Sequence, residues 1–317
     1  MMVFWHICAM LFQQAPHSLF MVRPASFGFN EQTASTNSFQ RSIEDDQANV
    51  HRMALKEFDT MVALLKENHI ELVVFEDTKE PVKPDAVFPN NWMSVHEDGK
   101  LILYPMLTQN RRQERRPEFV QMLRDKFAIK DIIDFSSEER NKRVVEGTGS
   151  LVFDHVNKIA YASRSERTDE SLAREIAQRL GYALLIFDAA DQHGKAIYHT
   201  NVLMCVGEKF VVLCLDAIRK DEDQELILNS FSNTGHKVVA ISYAQMESFA
   251  GNMLEVKNKK GEPFVLLSQQ AFNTLIPGQI DAITQFADLL PINIQTIETH
   301  GGGSVRCMVG GIHAPKK

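Results

Sequence analysis

A cysteine late in the chain has the surroundings of a nucleophile. Cys307 follows the run Gly301 to Ser304 and stands directly after Arg306. A glycine-rich backbone lets other groups approach the sulfur, and a neighbouring cation favours the thiolate. A buried, unreactive cysteine on the last strand is an equally open interpretation from the spacing alone. That second interpretation is preferred for Cys205 and Cys214, because both lie inside apolar stretches.

A histidine and an acid could complete the chemistry of Cys307. His199 lies in the sequence YHTN, and Glu146 begins the sequence EGTGS. An imidazole near a thiol acts as general base, and a carboxylate can hold the imidazole in position. A lone histidine is more often structural, so this triad needs spatial support. His193 has the context of a solvated turn, whereas His300 could lie behind the nucleophile.

Five segments are richer in polar residues and glycine than a strand or helix requires. They are Pro84–Trp92, Glu146–Ser150, Tyr198–Asn201, Ala250–Met253 and His300–Cys307. Each stands at an end of a predicted strand, so a radial arrangement of the strands would bring all five to one axis. We therefore predict the site at that axis. Asn30, Thr33 and Asn37 are interpreted as helix-capping residues rather than pocket residues.

The elements that must position these segments repeat along the chain. Apolar spacing predicts five helices, within residues 50–65, 117–123, 168–180, 226–235 and 280–286, with Thr168 as one N-cap. Short apolar runs predict the strands that follow them, at Leu72–Phe75, Ile132–Phe135, Leu184–Phe187, Val238–Ile241 and Ile292–Ile297. Two strand pairs lie between, Leu151–Phe153 with Ile159–Ala162 and Asn201–Val206 with Phe210–Leu215. The unit is strand, strand, helix, strand over about 50 to 60 residues, and five such units predict one α/β domain over residues 15–317.

Composition excludes several classes of protein. The chain has 317 residues, a net charge of −7 and 44% hydrophobic residues, which is typical of a globular protein. Without a long basic run we expect no nucleic-acid surface. Four cysteines without a CxxC pair predict reduced thiols, no zinc knuckle and a cytoplasmic location. The apolar run at residues 1–12 is too short to span a bilayer, so we expect no membrane association and interpret residues 1–14 as an extension outside the core.

The order of four motifs resembles that of a known enzyme superfamily. EGTGS, YHTN, AGNM and GGGSVRC follow one another as in the guanidine-modifying, or pentein, enzymes: arginine deiminases, dimethylarginine hydrolases and amidinotransferases. The resemblance extends from about Leu19 over nearly the whole chain, and it is closest to the citrulline-utilising hydrolases. It implies a five-bladed α/β propeller, a hydrolase acting on non-peptide C–N bonds, and no metal or organic cofactor.

The resemblance also implies roles for individual residues. Cys307 would attack the central carbon of a guanidino or ureido group, His199 would be general acid and base, and Glu146 would hold His199. Asp85 matches an acid that contacts the amino-acid end of the substrate. Arg167 matches an arginine that binds the α-carboxylate. A further substrate-binding arginine of the family aligns with Arg111 or, equally well, with Arg112.

Two departures from the family pattern bear on the substrate. Guanidine-acting relatives usually have acids where this chain has Asn91, or its neighbour Asn90, and Asn201. Burial of a guanidinium without carboxylates is costly, whereas a neutral ureido group matches the donors and acceptors of an amide. The sequence therefore favours citrulline hydrolysis to ornithine, ammonia and carbon dioxide. An amidinotransferase or arginine deiminase, and a non-catalytic binding propeller, remain alternatives, as does a homodimer.

Overall fold

The computed structural model describes residues 13–41 and 46–317. These residues form fifteen strands. They are β1 Ser18–Arg23, β2 Glu71–Glu76, β3 Met93–Val95, β4 Lys100–Leu103, β5 Asp131–Asp134, β6 Leu151–Asp154, β7 Ile159–Ser163, β8 Ala183–Phe187, β9 Met204–Val206, β10 Phe210–Leu213, β11 Lys237–Ala240, β12 Leu254–Lys257, β13 Pro263–Ser268, β14 Asp288–Ile292 and β15 Gly310–Ile312.

The same residues form twelve α-helices, several of only one turn. They are α1 Glu31–Ala34, α2 Gln47–Glu67, α3 Gln109–Arg112, α4 Pro117–Lys126, α5 Gly147–Ser150, α6 Glu170–Leu180, α7 Thr200–Leu203, α8 Asp221–Thr234, α9 Tyr243–Glu247, α10 Gln269–Thr274, α11 Pro277–Thr284 and α12 Gln295–Gly301. Short 3-10 turns lie at Pro89–Asn91, Ser136–Asn141, Leu215–Ala217 and Val305–Met308. No described helix is both long and apolar enough to cross a bilayer.

The strands form five three-stranded units. In each unit the middle strand is antiparallel to the first strand and parallel to the last. Four units are consecutive in the chain: β3-β4-β5, β6-β7-β8, β9-β10-β11 and β12-β13-β14. The fifth combines β15 with β1 and β2, and it joins the first unit through the pairing of Ile312 with Val95. This is the predicted five-bladed α/β propeller.

Each long helix buries an apolar stripe against its unit. In α6, Leu172, Ile176 and Leu180 are buried, as helical spacing requires. The cap of this helix is Asp169 rather than the predicted Thr168: the Asp169 side chain accepts a hydrogen bond from the Leu172 N–H. The helix ends at Gly181, which has a φ of 77°.

Two predicted strands are wrong in part. The strand expected at 292–297 is instead β14, which ends at Ile292, and the residues from Gln295 onward form α12. The strand expected to begin at Asn201 begins at Met204, because Thr200–Leu203 is a helical turn. The turn from Gly207 to Lys209 joins an antiparallel pair as predicted.

The beginning of the chain also differs from expectation. Residues 1–12, with Cys8, lie outside the described residues. Gln14, which we assigned to the extension, is 6% exposed. Its amide donates to the carbonyls of Phe153 and Val206, so the packed fold reaches at least to this residue. Cys205, Cys214 and Cys307 are free and buried.

Candidate active site

The five polar segments precede the five innermost strands. Asn91, Ser150, Leu203, Met253 and Met308 stand one or two residues before β3, β6, β9, β12 and β15. Because these strands surround the propeller axis, the segments converge there as predicted. A small pocket, partly open to solvent, is lined by residues of three of these segments, Pro84–Trp92, Tyr198–Asn201 and His300–Cys307. Its lining includes Asn37, Asp85, Phe88, Asn91, Arg111, Arg167, Tyr198, His199, Gly301 to Gly303 and Cys307.

Glu146 holds His199 through a buried hydrogen bond. His199 Nε2 lies 2.8 Å from Glu146 Oε2. Burial opposes ionisation of Glu146, but Arg167, at 3.4 Å from the same oxygen, His199 and Arg111 outweigh it. The pKa of Glu146 therefore lies well below its usual range. The other carboxylate oxygen accepts from the Leu107 N–H at 3.0 Å, so both oxygens are fixed.

His199 is neutral in this environment. Burial lowers its pKa to about 4, although Glu146 opposes the shift. An ionised Glu146 takes the proton on Nε2 as its hydrogen bond, which leaves Nδ1 free for proton transfer. Gly149 packs against that nitrogen, because a Cβ at this position would lie 2.8 Å from it. The second glycine of EGTGS thus makes room for the imidazole.

Cys307 lies in the turn Val305–Met308 and is 4% exposed. Burial raises the pKa of its thiol, and contacts with Ser304, Asn252 and Arg306 only partly oppose this. The resting pair is therefore a thiol and a neutral imidazole. A substrate that displaces solvent and accepts the thiolate attack would draw the proton from sulfur to His199.

Asn252 contacts the sulfur with both of its polar atoms. Its Nδ2 lies 3.4 Å and its Oδ1 3.6 Å from Cys307 Sγ. The same amide donates to the Asn201 carbonyl and accepts from the Arg306 N–H, so its orientation is set from two sides. The AGNM segment was singled out in the sequence, but no role was predicted for Asn252. Its position after Gly251 is not informative enough without the fold.

Asp85 presents one free carboxylate oxygen. Its Oδ2 accepts from Asn30 at 2.7 Å and from Thr33 at 3.3 Å. Its Oδ1 is buried and has no hydrogen-bond partner among the described residues. Burial raises the pKa of Asp85, although Arg111, 3.8 Å away, favours the ionised form. Asn30 caps α1 as predicted, and it also holds this acid.

Arg111, rather than Arg112, reaches the cavity. It pairs with both oxygens of Glu114 at 2.9 Å and donates to Asn91 Oδ1 at 2.8 Å. It also donates to the Phe88 carbonyl, so it would exchange one of these bonds to take a substrate carboxylate. Burial raises the pKa of Glu114 to about 7 against the effect of Arg111. Arg112 donates to main-chain carbonyls outside the cavity.

Arg167 is 2% exposed and is held over an aromatic ring. Its guanidinium carbon lies 4.9 Å from the centre of the Tyr198 ring. Its nitrogens donate to the Thr33 carbonyl and to the Thr36 hydroxyl, besides the contact with Glu146. This network connects the segment after β1 to the predicted triad.

The two asparagines at the departures border different spaces near the sulfur. Asn91 lines the cavity, whereas Asn90 does not. Asn201 Nδ2 lies 3.8 Å from Cys307 Sγ, and the residue borders a second space along the axis. Asn91 Nδ2 and Asn201 Oδ1 are both buried without a hydrogen-bond partner among the described residues. His300 is buried on α12, and His193 lies in an exposed turn as predicted.

Comparison with models of protein families shows to which family the chain belongs. The model for N,N-dimethylarginine dimethylhydrolase, eukaryotic, matches residues 23–314. The chain belongs to this family. It is therefore a hydrolase of the pentein superfamily, acting on C–N bonds outside peptides, and not a non-catalytic propeller. Comparison with curated protein sequences gives no significant match.

Solved structures with low sequence identity share the fold of this dimethylarginine dimethylhydrolase-family chain. The N-terminal domain of ArgZ, an arginine dihydrolase from cyanobacteria, has a TM-score of 0.71 at 14% identity, over 94% of this chain and 98% of that one. Unliganded AgrE has a TM-score of 0.73 at 17% identity, over 95% of this chain. The match spans only 40% of AgrE.

A dimethylarginine dimethylaminohydrolase structure also has this fold. It is a histidine-to-glycine variant with an adduct of S-methyl-L-thiocitrulline. Its TM-score is 0.61 at 14% identity, over 95% of this chain and 99% of that one. At these identities the likeness establishes the fold alone.

Proposed function

We propose that this chain hydrolyses the ureido group of citrulline, giving ornithine, ammonia and carbon dioxide. The observation that carries the proposal is the pair of unpartnered buried amide atoms, Asn91 Nδ2 and Asn201 Oδ1. One is a donor and the other an acceptor, which a ureido oxygen and N–H group complement. The guanidinium of arginine would instead require carboxylates at these positions.

The first half of the reaction follows from the triad. His199 Nδ1 takes the proton of Cys307, and the thiolate attacks the ureido carbon to form a C–S bond. Glu146 stabilises the imidazolium that results, since it is ionised and lies 2.8 Å from Nε2. Collapse of the tetrahedral intermediate breaks a C–N bond, and the imidazolium protonates the nitrogen that leaves as ammonia.

The second half consumes one water. His199 Nδ1 takes a proton from the water that attacks the thiocarbamate carbon, and the C–S bond breaks. The product carbamate loses carbon dioxide and leaves ornithine. Citrulline and one water thus balance ornithine, ammonia and carbon dioxide. No step needs an oxidant or a metal.

The amino-acid end of the substrate has matching groups. The free Oδ1 of Asp85 is an acceptor for the α-ammonium, and Arg167 or Arg111 can pair with the α-carboxylate. Arg111 would do so by releasing a bond to Asn91 or to the Phe88 carbonyl. Release of the bond to Asn91 would free that amide beside the reacting group.

A second candidate is hydrolysis of methylated arginine, which the family match favours. In that reaction the same nucleophile attacks a guanidinium carbon, methylamine or dimethylamine leaves, and citrulline is the product. The reacting group would then be a cation, so Asn91 and Asn201 would be unfavourable neighbours. The two candidates differ in whether citrulline is consumed or formed.

Product analysis separates the candidates. The purified chain is incubated separately with citrulline, arginine and asymmetric dimethylarginine, with Cys307→Ala as the blank. Ornithine from citrulline that disappears in C307A is the expected result. Citrulline formed from dimethylarginine, with no ornithine from citrulline, would contradict the proposal and establish the second candidate.

A matched pair of variants tests the reason for the preference. Asn201→Asp places a carboxylate beside the sulfur and should shift the ratio of kcat/KM values toward arginine-type substrates by about tenfold or more. Asn90→Asp adds the same charge to a residue that does not line the cavity and should leave the ratio unchanged. An unaltered ratio in N201D would remove the electrostatic argument.

A further inference from the structure

A second cavity lies on the propeller axis, beyond the sulfur of Cys307. It offers about 50 Å³ to the centres of water molecules, which is room for a few waters or one small ion. Every inner strand contributes to its wall, through Val95, Phe153, Cys205, Leu254 and Gly310. We call it the axial cavity. It shares no lining residue with the pocket beside Asp85 and Arg167.

Arg306 brings a positive charge to the axial cavity. Within the described part of the chain, the acceptor of its guanidinium is the Val309 carbonyl, at 2.9 Å, and no carboxylate forms an ion pair with it. Burial lowers its pKa to about 10, so the group is still a cation at neutral pH. A buried cation without a counter-ion is costly, and a bound anion removes that cost.

Three histidines stand near Arg306 in the same wall. The rings of His155 and His313 have their centres 4.0 Å apart, and those of His96 and His155 6.0 Å apart. Burial keeps all three neutral, with the pKa of His96 lowered to about 4 and that of His313 to about 3. The other charges acting on His155 are Arg306 and Lys158, and both are positive.

One of these imidazoles has an unused nitrogen. His96 is 4% exposed, its Nε2 pairs with the Ser94 hydroxyl at 2.8 Å, and its Nδ1 is buried without a hydrogen-bond partner among the described residues. When Ser94 donates to Nε2, Nδ1 carries the proton and is a donor. The described His, Cys, Asp and Glu side chains form no group that could hold a metal ion. With this tautomer the wall offers a cation and an unpartnered N–H donor, and Asn201 Oδ1 is an acceptor in the same wall without a partner among the described residues.

We propose that the axial cavity is a binding site for a small monovalent anion, held by Arg306 and His96. Its chemical class is a halide or an oxyanion of the size of formate or bicarbonate. The anion would fix the guanidinium of the residue that precedes the nucleophile. This inference does not depend on which substrate Cys307 attacks.

The test uses the full chain without substrate. Thermal unfolding is compared in sodium chloride, sodium formate, sodium bicarbonate and sodium gluconate at equal ionic strength and pH. Gluconate is too large for the cavity, so the small anions should raise Tm by about 2–4 °C above it. A larger rise in chloride assigns the site to halides, and a larger rise in formate and bicarbonate assigns it to oxyanions.

Variants and crystals locate the effect. Arg306→Gln should abolish the Tm difference, and His96→Phe, which keeps the ring packing, should reduce it. Arg174→Gln, at an exposed arginine of α6, should preserve it. Crystals soaked in bromide should show an anomalous peak in the axial cavity. Equal Tm values in gluconate and the small anions, bromide on the outer surface alone, or an effect retained in R306Q would each overturn the proposal.

Discussion

The side-chain amide of Asn252 lies against Cys307 Sγ with its nitrogen at 3.4 Å and its oxygen at 3.6 Å. An N–H donor beside sulfur favours the thiolate, and it opposes the burial that raises the thiol pKa. The amide is itself held by the Asn201 carbonyl and the Arg306 N–H. Asn252 is therefore a positioning residue for the nucleophile.

Replacement of Asn252 should slow the reaction of the thiol. Asn252→Ala removes the donor and should lower the rate of iodoacetamide alkylation at pH 7–8 by about five- to tenfold, because the Cys307 pKa rises. Asn252→Asp should lower the rate further, since a carboxylate repels the thiolate. Alkylation is measured against a C307A blank.

A structural control is available for Asn252. Asn258 is equally buried, and its side chain donates to the Asn68 carbonyl and to the Glu262 carboxylate, outside the lining of both cavities. Asn258→Ala should reduce stability and leave the pH dependence of alkylation unchanged. If N258A shifted the thiol pKa as N252A does, the direct role of Asn252 would be disproved.

Replacement of Glu146 by glutamine should act on kcat. The carboxylate stabilises protonated His199, and its loss should lower kcat by about 10²- to 10⁴-fold while KM changes little. Glu146 also raises the pKa of His199, which burial lowers to about 4. The acid limb of kcat/KM should therefore move to lower pH in E146Q. A limb displaced to higher pH would contradict the assignment.

A methyl group at Gly149 should displace two site residues. A Cβ there would lie 2.5 Å from Asn91 Nδ2 and 2.8 Å from His199 Nδ1. Gly149→Ala should lose most of its activity with circular dichroism unchanged. Gly278→Ala is the matched change, because nothing lies within 4 Å of its Cβ. It should remain fully active.

Glu298 links stability to pH. The Glu298 carboxylate accepts a hydrogen bond from the hydroxyl of Ser304, three residues before Cys307 in the chain. The side chain is 2% exposed, and burial raises its pKa to about 7. A raised carboxyl pKa means that the folded state binds the proton more tightly, so its stability is lost as pH rises from the unfolded value toward 7. Glu298→Gln keeps the acceptor and should remove this loss, which is about 3 kcal/mol.

Denaturant unfolding at pH 5 and pH 8 measures the effect. The free energy of unfolding of E298Q minus that of the wild type should be more positive at pH 8. An equal difference at both pH values would mean that Glu298 does not titrate in this range.

Sequence patterns could predict the propeller because each unit repeats the same local signals. The stripe of α6 and the hairpin turn after Val206 are encoded within one unit. The error at 292–297 has a non-local cause. The first N–H groups of α12, at Thr296 and Ile297, donate to the carboxylate of Glu57, which lies in α2. No residue close to Gln295 in the sequence therefore indicates that α12 begins there.

The site residues also fall into those that local motifs predict and those that depend on tertiary contacts. Glu146, His199 and Cys307 could be selected from motifs, and the structure places the first two in direct contact. Asn252 and Glu114 were missed because their importance arises from tertiary neighbours, the sulfur and Arg111. The axial histidines come from three different strands or their ends, so no sequence spacing connects them.

The ring of units closes by pairing β1 with β15, segments from opposite ends of the described chain. Three residue pairs form this contact, from Ser18 with Ile312 to Phe20 with Gly310. Cys307 stands three residues before the closing strand. Contacts between distant segments form late and slowly, because a long loop must first lose its entropy. Assembly of the site around Cys307 is therefore coupled to closure of the ring of units.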